Sequence, residues 1–237
     1  MANFTTEGIV IQKINYSESS LIIKVLTKDK GLQSFIFQGA KRKGKKGQVV
    51  SPLSIINITY FQRNDSQLAK IRQVDLAVIY KDIPFNPIKT SILFFVNELI
   101  QNSIKEEEYN PQLYHFIKSA LQILDVQRAF SNFPIKFSLA LLGQIGYYPA
   151  IDELGRYFDF LNGKITKNEP NHPYFLDKDI TSYLIKINQQ PLSENGNKIP
   201  NSIKKQLLDG LLDYYKIKIE GFKPLKSIEI LETVLAG

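Results

Sequence analysis

The chain has 237 residues, 43% hydrophobic and 22% charged, a composition that suits a folded globular protein and excludes disordered and collagen-like chains. Its formal charge is +7 and it has no cysteine, which removes disulfides, thiolate metal sites and cysteine nucleophiles; two imidazoles, His115 and His172, are too few for a histidine-rich metal centre, so neither metal nor cofactor is expected. Met1 to Glu7 lacks the basic-then-apolar order of a secretory leader, and the apolar clusters Ile92 to Val96 and Leu139 to Leu142 are far short of the about 20 residues a membrane span needs. A cytoplasmic protein without membrane segments is expected.

The charge is unevenly placed. Residues 1–80 carry twelve Lys and Arg against five acids, a net +7, while the rest balances at 18 of each sign. All the excess positive charge lies in the first third, as expected if that third meets a polyanion and the remainder does something else.

In chain order, Phe4 to Ile14 and Ser19 to Thr27 are β-branched and partly alternating, which predicts two strands joined across the polar stretch Asn15 to Glu18. Lys28 to Gly31 supplies a turn in which Gly31 can take a positive φ, and Leu32 to Ala40 follows as a third strand. After a long basic loop, Leu53 to Gln62 and Leu68 to Tyr80 read as a fourth and fifth strand. Five short strands in this length predict a small closed barrel, and the OB-fold is the common five-stranded solution. Pro84 and Pro87 mark a junction, after which apolar residues recur at helical spacing in Ile88 to Ile104, Pro111 to Leu124 and Pro134 to Ile145. Residues 147–175 break that period with aromatic and turn-forming residues, which predicts an irregular insertion with a hairpin about Asn162-Gly163. Helices resume at Asp177 to Asn188, Pro200 to Lys218 and Leu225 to Leu235. The predicted class is α+β: an N-terminal OB-fold β-barrel over residues 1–80, and a C-terminal α-helical domain over 81–237 with an insertion at about 147–175.

The opening EGIVIQKINYSESSLIIKVLTKDKGLQSFIFQGAKRKGKKG resembles the start of the RecO family: a strand, a Tyr-x-Glu-Ser turn, a strand ending in Thr, then Gly-Ala followed by basic residues. Leu53 to Tyr60, Leu68 to Asp75, Asn97-Glu98-Leu99, Phe137 to Tyr147 and Phe222 to Ser227 fall in that family's order, so the resemblance spans nearly the whole chain. It implies an OB-fold followed by a helical domain, and a non-enzymatic, monomeric mediator of DNA repair and recombination in the RecF pathway. Such a protein binds single- and double-stranded DNA and anneals complementary strands. With RecR, it helps to load RecA onto strands coated by single-strand-binding protein. Many members carry a four-cysteine zinc motif after the Leu-Gly-x-x-Gly-Tyr helix; this chain has none, so Tyr157, Phe158, Phe160 and Phe175 are expected to hold the insertion instead.

The sharpest local feature is Lys41, Arg42, Lys43, Lys45 and Lys46, five cations in six positions on a loop between strands. Such a loop can neutralise several phosphates and release condensed counterions; the plain alternative is a solvated charge run. Lys13, Lys24, Arg63, Lys70 and Arg72 are scattered through the barrel, and among them Arg72 can fork onto a phosphate as a lysine cannot. As base-stacking candidates, Phe35 and Phe37 share a face and read as core, whereas Tyr60 and Phe61 point oppositely, so one of the two faces outward.

In the helical domain the resemblance implies a pocket for the acidic C-terminal tail of single-strand-binding protein. Lys136, Phe137 and Leu141 are candidates for it, with Lys136 as a rim cation on the helix surface, and Lys226 matches another basic position of the family. Two competing functions are an adaptor whose barrel meets an acidic protein and a metal-dependent nuclease. Asp152-Glu153 and Glu106 to Glu108 are the only tight acidic clusters, and neither has ligand partners in sequence.

Overall fold

The structure is a computed structural model that describes residues 3–42, 46–62, 68–104, 109–196 and 198–236. The chain divides into two compact units, one formed by residues 1–81 with 104–122, the other by 82–103 with 123–237.

The first unit is a closed five-stranded barrel. Strands β1 (Asn3–Asn15), β2 (Leu21–Thr27), β3 (Gly31–Phe37), β4 (Ile55–Phe61) and β5 (Ala69–Leu76) follow the order β1-β2-β3-β5-β4, and β4 pairs back onto β1. Every pairing is antiparallel except β3 with β5. This is the five-stranded OB-type barrel that the strand count predicted.

Long β1 serves two neighbours, Asn3 to Ile9 facing β4 and Gly8 to Asn15 facing β2. A register shift between Val10 and Gln12 bends it from one partner to the other. Gly8 lies where both pairings overlap; a Cβ there would stand 2.4 Å from Val25 Cγ1, so only glycine allows the approach. Gly31, at φ 68°, closes the β2–β3 turn in the left-handed region. Val10, Ile23, Val25, Phe35, Ile58 and Tyr60 are among the residues that fill the interior.

The third strand ends at Phe37 rather than Ala40. Residues 38–40 turn instead, and Ala40 packs beneath a 3-10 turn, Lys46–Val49, so closely that a Cβ on Gly47 would fall 2.2 Å from the Ala40 carbonyl oxygen. Helix α2 (Pro111–Val126) runs through Gln122 with this unit, and its last turn belongs to the second.

The second unit holds α1 (Pro87–Ser103), α3 (Phe133–Gln144), α4 (Lys178–Asn188), α5 (Asn201–Lys218) and α6 (Ser227–Ala236). Helix α3 is its centre, with an unbroken buried run from Phe133 to Leu139. A helix buried on every side has no polar face, which is why its apolar residues show little periodicity. Lys89 on α1, 1% exposed, pairs with Asp82 at 2.8 Å and donates to the Asp125 carbonyl at 2.8 Å. Glu98 accepts from the backbone N–H groups of Lys226 and Ser227 and from the Ser227 hydroxyl, capping α6 with a carboxylate. Burial alone would raise the Glu98 carboxyl, but these hydrogen bonds hold it below its ordinary value.

The insertion is a small sheet of order β7-β6-β8, from β6 (Tyr157–Asp159), β7 (Lys164–Thr166) and β8 (Phe175–Leu176). The expected hairpin about Asn162-Gly163 is the β6–β7 connection. No helix among the described residues is long and apolar enough to cross a membrane.

Candidate nucleic-acid interface

Two exposed cationic regions lie on the barrel. In the first, Lys41 donates its backbone N–H to the Ser19 carbonyl at 3.2 Å and its ammonium to the Ser17 carbonyl at 3.2 Å, strapping the start of the basic loop to the β1–β2 turn. Arg42, also exposed, is held by its N–H on the Gly39 carbonyl at 3.0 Å. On the strapped turn Tyr16 is 62% exposed, an aromatic that strand alternation does not signal because it lies outside any strand. Lys43 and Lys45 lie outside the described residues, as does the side chain of Lys46.

The second region is the outer wall formed by β4 and β5. Tyr60 is the inward member of its pair, 4% exposed, and Phe61 points outward. The Arg72 guanidinium stands 5.9 Å from the Phe61 ring centroid, and exposed Lys70 is Phe61's cross-strand partner. An arginine over an aromatic ring is held flat while its N–H edges stay free for phosphate oxygens. Lys13 is exposed on β1 and Lys24 half-buried on β2, whereas Arg63 lies outside the described residues. Phe35 and Phe37 are core residues, 1% and 3% exposed.

An unforeseen brace joins α2 to β1. Glu7 accepts from the Tyr114 hydroxyl at 2.5 Å and from the Lys118 ammonium at 2.6 Å. Burial would raise the Glu7 carboxyl, but these two partners outweigh it and hold it below its ordinary value, while burial and the adjacent carboxylate push the Tyr114 hydroxyl far up. Only the tertiary fold brings residues 107 and 111 positions apart together, so no local pattern signals the contact.

Lys136 is not the exposed rim cation expected from sequence. It is 5% exposed, and its ammonium donates to the carbonyls of Pro191 at 3.0 Å and Glu194 at 2.6 Å, with burial drawing its pKa down against the opposing pull of Glu194. Phe137 and Leu141 are fully buried and help to form the floor of the domain rather than its surface. Lys226 is exposed beside the Glu98 cap. Lys136 nevertheless borders a cleft of about 140 Å³, lined also by Leu139, Ala140, Tyr148, Ile187 and Gln190. There Tyr148 donates to Asn188, and the buried Gln190 Oε1 has no hydrogen-bond partner.

The insertion does not fit a zinc ion. It has no thiolate, and among the described residues no group of three or more His, Asp or Glu is placed to hold a metal. Rings fill the place: Phe158 lies 5.2 Å from Phe160 and 4.9 Å from Tyr214 between centroids, and Tyr157 meets Phe175 edge-on at 5.8 Å. Asp159 adds polar links, accepting from the Asn162 backbone and amide and standing 3.3 Å from His172.

Comparison with known proteins agrees with this architecture. The family described as "Recombination protein O N terminal" matches residues 1–80, and "Recombination protein O C terminal" matches residues 84–228. The chain is 31% identical over 236 residues to a protein of Flavobacterium johnsoniae named DNA repair protein RecO, covering 98% of each chain. Proteins of the same name from Flavobacterium psychrophilum and Azobacteroides pseudotrichonymphae are 29% and 28% identical, again over 98% of each chain.

Proposed function

The chain belongs to the RecO family of DNA repair proteins, and from that premise we propose that it acts by binding rather than by catalysis, as a recombination mediator of the RecF pathway in the cytoplasm. Its barrel binds single- and double-stranded DNA through the backbone and anneals complementary strands. With RecR, the protein promotes RecA loading onto strands coated by single-strand-binding protein. The observation that carries this reading is the concentration of the whole net charge in residues 1–80, on a barrel that exposes Lys41 and Arg42 beside Tyr16, and Lys70 and Arg72 beside Phe61. Cations of this kind release counterions from DNA irrespective of sequence, and neighbouring rings suit unpaired bases.

The test is neutralisation of Lys41, Arg42, Lys43, Lys45 and Lys46 together. Fluorescence anisotropy should show weaker binding to both DNA forms and a shallower dependence of log affinity on log salt, by about 0.9 for each lost duplex phosphate contact and about 0.7 for each single-strand contact. Unchanged affinity would remove the loop from the interface.

The cleft beside Lys136 supports a second site. An apolar floor and a buried ammonium with one N–H left over suit the acidic C-terminal tail of single-strand-binding protein, the carboxylate meeting Lys136 and the unpartnered Gln190 amide oxygen accepting a backbone N–H of the tail. Pull-down with intact and tail-deleted single-strand-binding protein tests it: binding should vanish with the tail, and retention counts against the cleft.

A further inference from the structure

At the end of the barrel where β1 begins, Phe4 stands directly opposite Tyr60 in the β1–β4 ladder. The two rings stack at 5.6 Å with 29° between their planes, and Tyr60 meets Phe35 edge-on at 5.1 Å, so an aromatic column runs from the interior to the rim. Exposure falls along it from 41% at Phe4 to 4% at Tyr60 and 1% at Phe35. Phe4 is thus covered on its inner face and open to solvent.

The Lys30 ammonium, on the β2–β3 turn, lies 5.1 Å from the Phe4 centroid and 5.9 Å from the Tyr60 centroid. With the rings 5.6 Å apart, the three points form a nearly equilateral triangle. The ammonium thus lies over both rings, and Phe4 still keeps 41% of its surface open to solvent. Among the described residues Lys30 has no carboxylate partner. The two nearby acids are engaged, Asp29 by the Thr6 hydroxyl at 2.8 Å and Glu7 by Lys118 and Tyr114.

A leucine would close the barrel end as well as a phenylalanine does. What phenylalanine adds is a flat π-face at the rim, backed by a second ring and flanked by a free positive charge. Those are the two elements that recognise a single strand without regard to sequence: a stacking platform for a base and a cation for the adjoining phosphate. In a duplex both base faces are already stacked, so the platform is useless there.

We propose that the outer face of Phe4 stacks on one unpaired nucleobase while Lys30 takes the neighbouring phosphate, which makes this rim a subsite selective for single strands. The subsite rests on the DNA-binding reading above, and it predicts a difference between DNA forms that backbone contacts alone do not produce.

The experiment uses the full-length protein and three labelled probes of equal length: oligothymidylate, the same strand with abasic sites, and a duplex. F4L should bind oligothymidylate about 5- to 150-fold more weakly, the about 1–3 kcal/mol of one stacked base at 1.4 kcal/mol per tenfold. It should bind duplex as the wild type does, and on the abasic strand the two proteins should not differ. Because the chain has no tryptophan, F4W installs a single tryptophan at the rim, which can be excited apart from the tyrosines and whose emission oligothymidylate should quench and duplex should not. K30Q should lower the single-strand salt slope by about 0.7. Thermal melts of each variant report folding separately. Equal oligothymidylate affinity for F4L and wild type, an equal loss on duplex, or an F4W emission blind to DNA would overturn the subsite while leaving the backbone reading standing. Wild-type protein that binds no probe in dilute buffer would overturn both.

Discussion

A buried ammonium is tolerated only where acceptors meet it, and Lys136 meets two carbonyls that themselves lie away from strand or helix ladders. Replacing it by methionine keeps the volume but strips the Glu194 carbonyl of the lysine donor and leaves the Pro191 carbonyl only the Glu194 N–H, which should cost about 1–3 kcal/mol. A thermal melt should fall by about 2–4 °C for each kcal/mol lost. Glu7 offers a pH-dependent counterpart. Its carboxyl is depressed in the folded protein, so its contribution is full above the ordinary value of 4.5 and fades as pH falls through the lower folded value. Glu7→Gln should therefore lower the melting temperature at neutral pH, and the gap from wild type should close in strongly acid buffer; a gap independent of pH would refute the brace. Of these residues the sequence showed Lys136 as a cation but not its burial, because α3 has no polar face against which a misplaced lysine stands out. Phe35 and Phe37 were legible as core, since two rings on one face of a strand point in or out together and burial of both is the favoured choice.

Strands and helices were more legible than single contacts. Each of the five barrel strands and six α-helices was foreseen from apolar period and turn residues, with ends differing by a few residues. The 3-10 turn after the basic loop was not foreseen, because its cause is the packing of Gly47 on Ala40, which no local pattern encodes. The same kind of close approach makes Gly8 a test of β1. Gly8→Ala would drive a Cβ toward Val25 and should destabilise the barrel by about 1–3 kcal/mol, read as a lower denaturant midpoint. On the β4–β5 wall, Arg72→Lys keeps the charge but loses the flat, forked group over Phe61. DNA affinity should drop while its salt slope stays unchanged, a combination that a purely Coulombic role for Arg72 would not give.

Across the whole molecule, the charge asymmetry was visible by counting alone and points to the barrel as the polyanion-binding part. The aromatic elements of the proposed interface were less visible. Tyr16 lies in a turn, Phe4 at a strand end, and the choice between Tyr60 and Phe61 depended on which way the β4 pleat faced the barrel. Absence of cysteine was plain from the sequence, whereas the ring cluster around Phe158 includes Tyr214 from a helix far along the chain.

Among the described residues, parallel pairing of β3 with β5 rests on Phe35 with Ala69 and Ile36 with Lys70. That makes it the thinnest seam in an otherwise well-laddered cylinder. Amide protons along it should exchange with deuterium sooner than those between β1 and β2, since opening there breaks the fewest bonds. Lys70 sits on the seam and Arg72 two residues beyond it on the same strand, so a nucleic acid that reached from them across to β3 would act as a clasp. Slower exchange at residues 35, 36, 69 and 70 in the presence of oligonucleotide would show the ligand finishing a closure that the polypeptide leaves barely made.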